Sequence, residues 1–193
     1  MRKLLFGFIA LFAVASLSSC GYNSSVKLDE KVKAAWGEVE NQYQRRADLI
    51  PNLVNTVKGA ANFEKETLTQ VIEARAKATS IQVDPSKLTP ETIQKFQSAQ
   101  GGLTQALGKL MVVSERYPEL KANANFQELQ AQLEGTENRI TVARRDFNQA
   151  VQDYNTNIRT FPNNLFAGMF GFQQKGSFAA EAGAEKAPSV NFN

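Results

Sequence analysis

Residues 126–161, FQELQAQLEGTENRITVARRDFNQAVQDYNTNIRTF, decide the fold of this chain because their large side chains recur at every seventh position. The large row is Phe126, Leu133, Ile140, Phe147, Tyr154 and Phe161, and the row between them is Leu129, Thr136, Ala143, Ala150 and Asn157. A repeat of three and four residues is typical of a helix that packs along its length against another helix. The stretch therefore predicts a helix of about 36 residues that ends before Pro162.

A second long helix is predicted near the beginning of the chain. Its stripe is Val32, Trp36, Val39, Tyr43, Arg46, Ile50, Leu53, Val57 and Ala60. Pro51 lies inside this stripe, where it removes one backbone hydrogen bond and clashes with the preceding turn. We expect a kink rather than a break, because the stripe resumes in register at Leu53.

Two shorter helices are predicted between the long ones. Residues 63–80 carry an apolar stripe, and Thr89, Pro90 and Glu91 have the pattern of a helix start with proline at the first position. Short connections make neighbouring helices antiparallel. The chain is therefore predicted to be all-α, a long antiparallel four-helix bundle with two long outer helices of about 36 residues, one of them kinked at Pro51, and two shorter helices.

The first twenty residues have the pattern of a bacterial lipoprotein signal. Two basic residues precede an apolar run at residues 4–17, which is shorter than the ~20 residues that a helix needs to cross a bilayer. Leu17-Ser18-Ser19-Cys20 resembles the lipobox, in which the thiol is alkylated with diacylglycerol before cleavage exposes the cysteine as the new N-terminus. The alternatives are an ordinary signal peptide and an uncleaved anchor.

Cys20 is the single cysteine of the chain, and its position favours lipidation. Gly21 follows it where an inner-membrane retention signal would place Asp, so in a cell with two membranes we expect the outer membrane, facing the periplasm. The expected boundaries are residues 1–19 for the signal peptide, 20–25 for the lipidated tether, 26–162 for the helical bundle, and 163–193 for an aromatic segment followed, from Gln173, by a mobile C-terminal tail.

The composition excludes several functional classes. A chain that begins at Cys20 lacks Arg2 and Lys3, so it has 20 of the 22 basic residues against 19 acidic ones, and its net charge of +1 does not suggest nucleic-acid binding. The sequence has no histidine, which excludes Ser-His-Asp and Cys-His centres and histidine-based zinc sites. We therefore predict no catalytic centre, metal or cofactor, with a hydrolase that uses carboxylates alone as a weaker alternative.

Arg46 stands out because it occupies a stripe position that should be apolar. It could be buried and paired with a carboxylate that fixes helix register, with Glu137 on the last helix as the candidate. Alternatively, its guanidinium snorkels outwards over neighbouring apolar side chains. The second interpretation is favoured here, because burial without a partner would be costly.

Several motifs resemble the LemA family of bacterial envelope proteins. The most specific is Arg45-Arg46-x-Asp48-Leu49-Ile50-Pro51-Asn52-Leu53-Val54. The others are Glu73-Ala74-Arg75, Tyr117-Pro118-x-Leu120-Lys121, Glu137-Asn138-Arg139-Ile140, Tyr154-Asn155 and Phe161-Pro162. The match covers about residues 22–172. The resemblance implies a long-helix bundle outside the membrane, held by one N-terminal segment, without an established enzymatic activity or cofactor.

The first motif also indicates candidate partner-binding residues. Packing explains most of its positions, but it explains the polar Arg45, Asp48 and Asn52 least. We therefore expect these three residues to contact an envelope protein partner. Many members of the family carry an uncleaved transmembrane helix, and this chain departs from them in its lipobox-like sequence.

The predicted topology places a second candidate site at the membrane. An even number of antiparallel helices returns the chain to the side from which it started, and that side is tied to the bilayer. The aromatic segment, with Phe166, Met169, Phe170 and Phe172, should therefore lie near the membrane surface, in the interface or against the base of the bundle. The predicted function is a non-enzymatic, membrane-tethered scaffold or interaction module, and the alternative is a groove near Pro51 that binds a peptide or partner helix.

Overall fold

The computed structural model describes residues 2–59 and 63–180, with side chains from residue 21 onward. Its helices are α1 (Arg2–Lys58), α2 (Lys65–Ser80), α3 (Pro90–Ser114), α4 (Pro118–Lys121) and α5 (Ala124–Arg159), followed by a 3₁₀ turn at Asn163–Leu165. These residues contain no strand, and the predicted all-α class is confirmed. The Cys20 side chain and residues 181–193 lie outside the described part, so lipidation and the end of the tail stay predictions.

Local capping fixes where two of the helices begin. Thr89 caps α3 by accepting a hydrogen bond from the backbone N–H of Thr92 at 3.3 Å, and Pro90 takes the first helical position, as the sequence predicts. Asn123 caps α5 by accepting from the N–H groups of Asn125 and Phe126 at 3.0 and 3.2 Å. Both caps satisfy N–H groups that have no partner within their own helix.

The first helix is longer than the predicted one. It spans 57 residues, because no proline or other break separates the N-terminal apolar run from the stripe that packs in the core. Pro51 lies inside the helix, which continues to Lys58, so the proline does not end it. The kink at Pro51 stays a prediction. The last helix, α5, spans 36 residues.

The helices α1 and α5 pack against each other in opposite directions. Ser25 contacts Asn157, Lys31 contacts Asp153, and further along the pair Arg46 contacts Glu137. Because residue numbers fall along α5 as they rise along α1, the end of α5 returns to the first described side chains of α1. The helices α2 and α3 pack against each other, and α2 also contacts α1.

The core consists of two apolar clusters. The first cluster includes Val32, Trp36, Val39, Tyr43, Phe96, Ile140, Phe147 and Tyr154. The second cluster includes Ile50, Leu53, Val57, Leu68, Val71, Leu103, Leu110, Phe126 and Leu133. The large row of α5 therefore supplies both clusters, and only its last member, Phe161, lies beyond the helix and is exposed.

A polar layer centred on Arg46 separates the two clusters. Arg46 is 1% exposed. Its Nη1 donates to Thr104 Oγ1 at 2.9 Å and to Glu137 Oε2 at 3.0 Å. Its Nη2 donates to the side-chain and backbone oxygens of Gln100 at 2.6 and 3.3 Å, and the guanidinium lies 4.9 Å from the centre of the Tyr43 ring. Both terminal nitrogens of the guanidinium thus donate hydrogen bonds, whereas its buried Nε has no partner among the described residues.

The snorkelling interpretation of Arg46 is therefore wrong, and the alternative, burial with Glu137 as the partner, is correct. The penalty for burying a charge is offset here because the guanidinium has a counter-charge on α5 and oxygen acceptors on α3. The sequence indicated the acceptor on α5, but it gave no sign that Gln100 and Thr104 would complete the layer.

Replacing Glu137 by Gln should lower the free energy of unfolding by about 2 kcal/mol. Among the described hydrogen-bond partners of the Arg46 guanidinium, Glu137 is the only charged one, and the substitution removes that charge. The cost stays below the ~3–5 kcal/mol of a fully buried pair, because the Glu137 side chain is 48% exposed and water replaces part of the interaction. Urea unfolding followed by circular dichroism measures the change.

Glu134→Gln is the matched control, since Glu134 lies on the same helix and is exposed. It should change the free energy of unfolding by less than about 0.5 kcal/mol. Equal effects of the two substitutions would contradict a stabilising role for the Arg46 layer.

Candidate functional site

One end of the bundle exposes a group of large apolar side chains. We call this group the apolar end patch, and its members are Tyr22 (44% exposed), Phe161 (75%), Leu165 (60%), Met169 (80%) and Phe170 (48%). Tyr22 and Phe170 make an edge-to-face ring contact at 5.1 Å, so α1 at Tyr22 and the segment after α5 lie side by side. Large contiguous patches of exposed apolar side chains are uncommon on soluble proteins, and they mark interaction surfaces.

Polar side chains hold this end of the molecule together. Ser25 Oγ donates to Asn157 Oδ1 at 2.8 Å, and Asn157 Nδ2 donates to Ser24 Oγ at 3.1 Å. Asn163 Nδ2 donates to the backbone oxygen of Asn157 at 3.3 Å. These bonds fasten the 3₁₀ turn to the end of α5, and the end of α5 to α1 at Ser24 and Ser25, which fixes where the apolar side chains lie.

The four aromatic-segment residues predicted from the sequence divide into two pairs. Met169 and Phe170 are exposed and belong to the apolar end patch. Phe166 and Phe172 are half-buried. Phe172 packs on the first cluster, with its ring 5.8 Å from Tyr22 and 6.5 Å from Tyr154. The exposed pair is suited to contact with a membrane interface, and the half-buried pair is suited to packing against the base of the bundle. Contact with a membrane stays a prediction.

The three candidate partner-binding residues lie together on the outer face of α1. Arg45, Asp48 and Asn52 are all exposed, and their spacing of three and four residues places them on one side of the helix. Gln44 Nε2 donates to Asp48 Oδ1 at 2.8 Å. At about 1.5 Å per residue, these positions lie ~35–45 Å along α1 from Tyr22.

The described surface around Pro51 does not form the expected apolar groove. The apolar residues Ile50, Leu53, Val54 and Val57 are buried in the second cluster. Apart from Pro51, the exposed positions of this turn are polar. A groove for a partner helix near Pro51 therefore has no support from these residues.

The acidic side chains that the structure describes are dispersed along the bundle. Glu64 pairs with Arg116 at 2.9 Å, and Glu115 pairs with Lys121 at 2.6 Å. Within the described part of the chain, no three histidine, cysteine or acidic residues lie close enough together to hold a metal ion.

Residues 173–180 are a feature that sequence reasoning missed. We call them the C-terminal strap. The sequence predicts a mobile tail from Gln173, but the structure contradicts this for the strap, which lies against α1, α3 and α5. Its Phe178 is 5% exposed and belongs to the first cluster. The lone Phe within a polar, Gly- and Ala-containing stretch was the one signal that could have indicated docking.

A charged group secures the beginning of the strap. Asp29 forms ion pairs with Lys175 at 3.0 Å and with Lys33 at 2.8 Å. Burial by itself would raise the pKa of Asp29, but the hydrogen bonds and charges of the two lysines outweigh this effect, so its pKa lies below the ordinary value. Asp29 is therefore ionised at neutral pH and can hold the lysine of the strap.

No helix among the described residues combines the length and the hydropathy required to cross a membrane.

Comparison with known proteins relates most of the chain to one family. The chain is 28% identical over 170 residues to "Magnetosome protein MamQ 2" of Paramagnetospirillum magneticum, a match that covers 79% of this chain and 62% of the relative. It is 25% identical over 183 residues to "Magnetosome protein MamQ" of Magnetospirillum gryphiswaldense, covering 86% and 67% of the two chains. The chain thus spans less than two thirds of the length of the P. magneticum relative.

A third relative carries the family name. The chain is 26% identical over 146 residues to "Protein LemA" of Metamycoplasma hominis, which covers 75% of this chain and 63% of the relative. The sequence model of the LemA family matches residues 35–192, a span that includes the Arg46 layer, all of α2 to α5 and the strap. From this match, the chain belongs to the LemA family.

Proposed function

We propose that this protein is a lipoprotein that is tethered to a membrane through Cys20 and acts as a non-enzymatic scaffold in the cell envelope. The four longer helices form its antiparallel bundle. The apolar end patch rests on the bilayer surface, and the face that carries Arg45, Asp48 and Asn52 binds a protein partner.

The position of the apolar end patch carries this proposal. Tyr22 follows Cys20 by two residues, and its ring contacts Phe170. A lipid on Cys20 would bring the exposed side chains of the patch to the membrane interface, where aromatic residues are favoured. The acyl chains would supply most of the attachment, at about 0.8 kcal/mol per buried methylene, and the patch would set the orientation.

The outer face of α1 fits the role of a partner surface in this arrangement. If α1 stands away from the membrane, Arg45, Asp48 and Asn52 lie ~35–45 Å from the patch. They then project beyond the lipid headgroups, where a second envelope protein can reach them. Gly21 in place of Asp favours the outer membrane in a cell with two membranes.

The scaffold role also agrees with the chemistry of the described residues. The sequence contains no histidine, and acidic residues such as Glu64, Glu115 and Glu137 pair with basic side chains. Ion-paired carboxylates that lie apart from one another lack the close spacing that hydrolysis by a carboxylate pair requires.

Removing the apolar end patch should weaken binding to liposomes. In a chain of residues 20–193 with Cys20→Ser, we expect Tyr22→Ser, Leu165→Ser, Met169→Ser and Phe170→Ser together to reduce partitioning into phosphatidylcholine liposomes by at least about tenfold, because four apolar side chains no longer enter the interface. Co-sedimentation measures the bound fraction. Phe166 and Phe172 are left unchanged, since they are half-buried.

The matched control replaces three exposed apolar residues elsewhere, Ile72, Val112 and Val142, which are 45%, 71% and 47% exposed. This variant should bind liposomes like the unsubstituted chain. If the patch variant and the unsubstituted chain bind equally weakly, the interfacial role is wrong.

Replacing Cys20 by Ala should abolish lipidation and processing. Mass spectrometry of the wild-type protein from cells should find an N-terminus at Cys20 with the added mass of the acyl chains, whereas the Cys20→Ala protein keeps residues 1–19. Ser19→Ala is the control and should be processed normally, because a small residue is kept before the cysteine. Processing and membrane retention of Cys20→Ala would contradict the lipoprotein assignment.

A photo-crosslinker at position 48 should capture a discrete protein partner in cells. Position 128 is the control, since Glu128 is also exposed and also accepts a hydrogen bond from a glutamine, Gln132, at 3.0 Å. The adduct at position 48 should disappear when Arg45 and Asn52 are replaced by Ala. Adducts that are the same from both positions would contradict a partner surface here.

A further inference from the structure

We infer that the groove occupied by the strap is a peptide-binding site for an extended segment of the pattern Lys-Gly-any-Phe, and that residues 175–178 are its intramolecular ligand. The site lies between α1, α3 and α5, away from the outer face of α1. It depends neither on lipidation nor on membrane contact, so it is testable in solution.

Three amide side chains of the groove form hydrogen bonds with the backbone of the strap. Asn155 donates to the carbonyl of Lys175 at 2.8 Å and accepts from its N–H at 2.9 Å. Asn148 pairs in the same way with Phe178, at 3.0 and 2.9 Å. These paired bonds use only main-chain groups of the bound segment, as in recognition modes where the main chain supplies affinity and pockets supply specificity.

A third amide pair and a backbone contact extend the same arrangement. Gln97 on α3 donates to the carbonyl of Ala179 at 3.0 Å and accepts from its N–H at 3.2 Å. The N–H of Gly176 donates to the carbonyl of Leu88 at 2.8 Å. Both walls of the groove thus hold the main chain.

The spacing of the two asparagines matches an extended ligand. Asn148 and Asn155 are two helical turns apart on α5, which is ~10.5 Å at 1.5 Å per residue. Lys175 and Phe178 are three residues apart, which is ~10 Å at 3.3 Å per residue of extended chain. The distance between the two amides of α5 therefore matches the length of three residues of extended chain. Three residues of a helical or compact segment would be too short to span it.

Side chains of the strap define the sequence that fits. The Phe178 ring stacks on Trp36 at 6.0 Å and meets Phe147 edge-on at 5.5 Å. The guanidinium of Arg144 lies over the same ring, 4.7 Å from its centre. The pocket thus suits an aromatic side chain, because its walls are apolar and a cation lies over the ring.

Lysine and glycine are specified in different ways. The Lys175 side chain is 7% exposed, and its Nζ pairs with Asp29. At Gly176, an added Cβ would lie 2.6 Å from Cα and 2.7 Å from N of Pro90, backbone atoms at the capped start of α3 that cannot move readily. Ser177 is exposed, so any residue is acceptable there.

The test uses the full chain with Phe178→Ala, which weakens its own strap, and a fluorescein-labelled peptide of residues 172–180. Fluorescence anisotropy should show that this variant binds the peptide at least about tenfold more tightly than the wild-type chain, whose groove is occupied. Peptides with Gly176→Val or Phe178→Ala should lose at least about tenfold in affinity, and a Ser177→Ala peptide should lose none.

Receptor substitutions check the groove itself. Adding Asn148→Ala to the Phe178→Ala chain should reduce peptide affinity, whereas adding Asn138→Ala, an exposed position on the same helix, should not. If the folded Phe178→Ala chain binds no peptide, or binds the Gly176→Val peptide as tightly as the native one, the inference is overturned.

A second arm covers the case in which Phe178→Ala prevents folding. A protease site introduced at exposed residues 168–171 allows the wild-type chain to be cut after it has folded. The cut strap should co-elute with the bundle in gel filtration and exchange with an excess of labelled peptide. A strap that does not exchange with the peptide would also overturn the inference.

Discussion

The antiparallel contact between α1 and α5 is the constraint on which the other features of this protein depend. It follows from two apolar stripes with the same repeat, and it brings the end of α5 back to Ser24 and Ser25. Because of this return, the segment after α5 lies beside Tyr22 and forms the apolar end patch. The same contact orients Asn148 and Asn155 towards the strap.

Apolar heptads alone would leave the alignment of these helices ambiguous. A shift of one heptad, ~10.5 Å along the axis, would still place large side chains opposite each other. The Arg46 layer removes this ambiguity, because only one alignment gives the buried guanidinium its acceptors on Glu137 and Gln100. A polar residue in an otherwise apolar stripe specifies register in coiled coils for the same reason.

Sequence reasoning succeeded where one periodic signal determined the structure. The repeat at residues 126–161 predicted α5, and the Thr89-Pro90 pair predicted the start of α3. It was less successful where the outcome depended on contacts distant in sequence. Arg46 was predicted to lie at the surface because burying an unpaired arginine is costly. The sequence did not reveal the acceptors on α3 that offset this cost. The length of α1 was underestimated because the apolar run was treated as a separate segment.

The strap was missed for a related physical reason. Its backbone pairs with side-chain amides rather than with a neighbouring strand, so it needs no alternation of apolar residues and has little β propensity to detect. The amides themselves were visible, since Asn148 and Asn155 each follow a large-row residue of α5. At a surface position, however, an asparagine usually forms hydrogen bonds with water, so its presence in the sequence does not predict that a segment docks there.

Attachment at both ends explains how the connector between α5 and the strap holds a defined shape. The connector contains two glycines, Gly168 and Gly171, and exposes several apolar side chains, while Ala167 and Phe172 pack with the first cluster. At one end, Asn163 bonds to the end of α5. At the other end, Lys175 pairs with Asp29 and with Asn155. Because both attachments lie on the α1–α5 pair, the geometry of the apolar end patch depends on a docked strap as well as on the bundle.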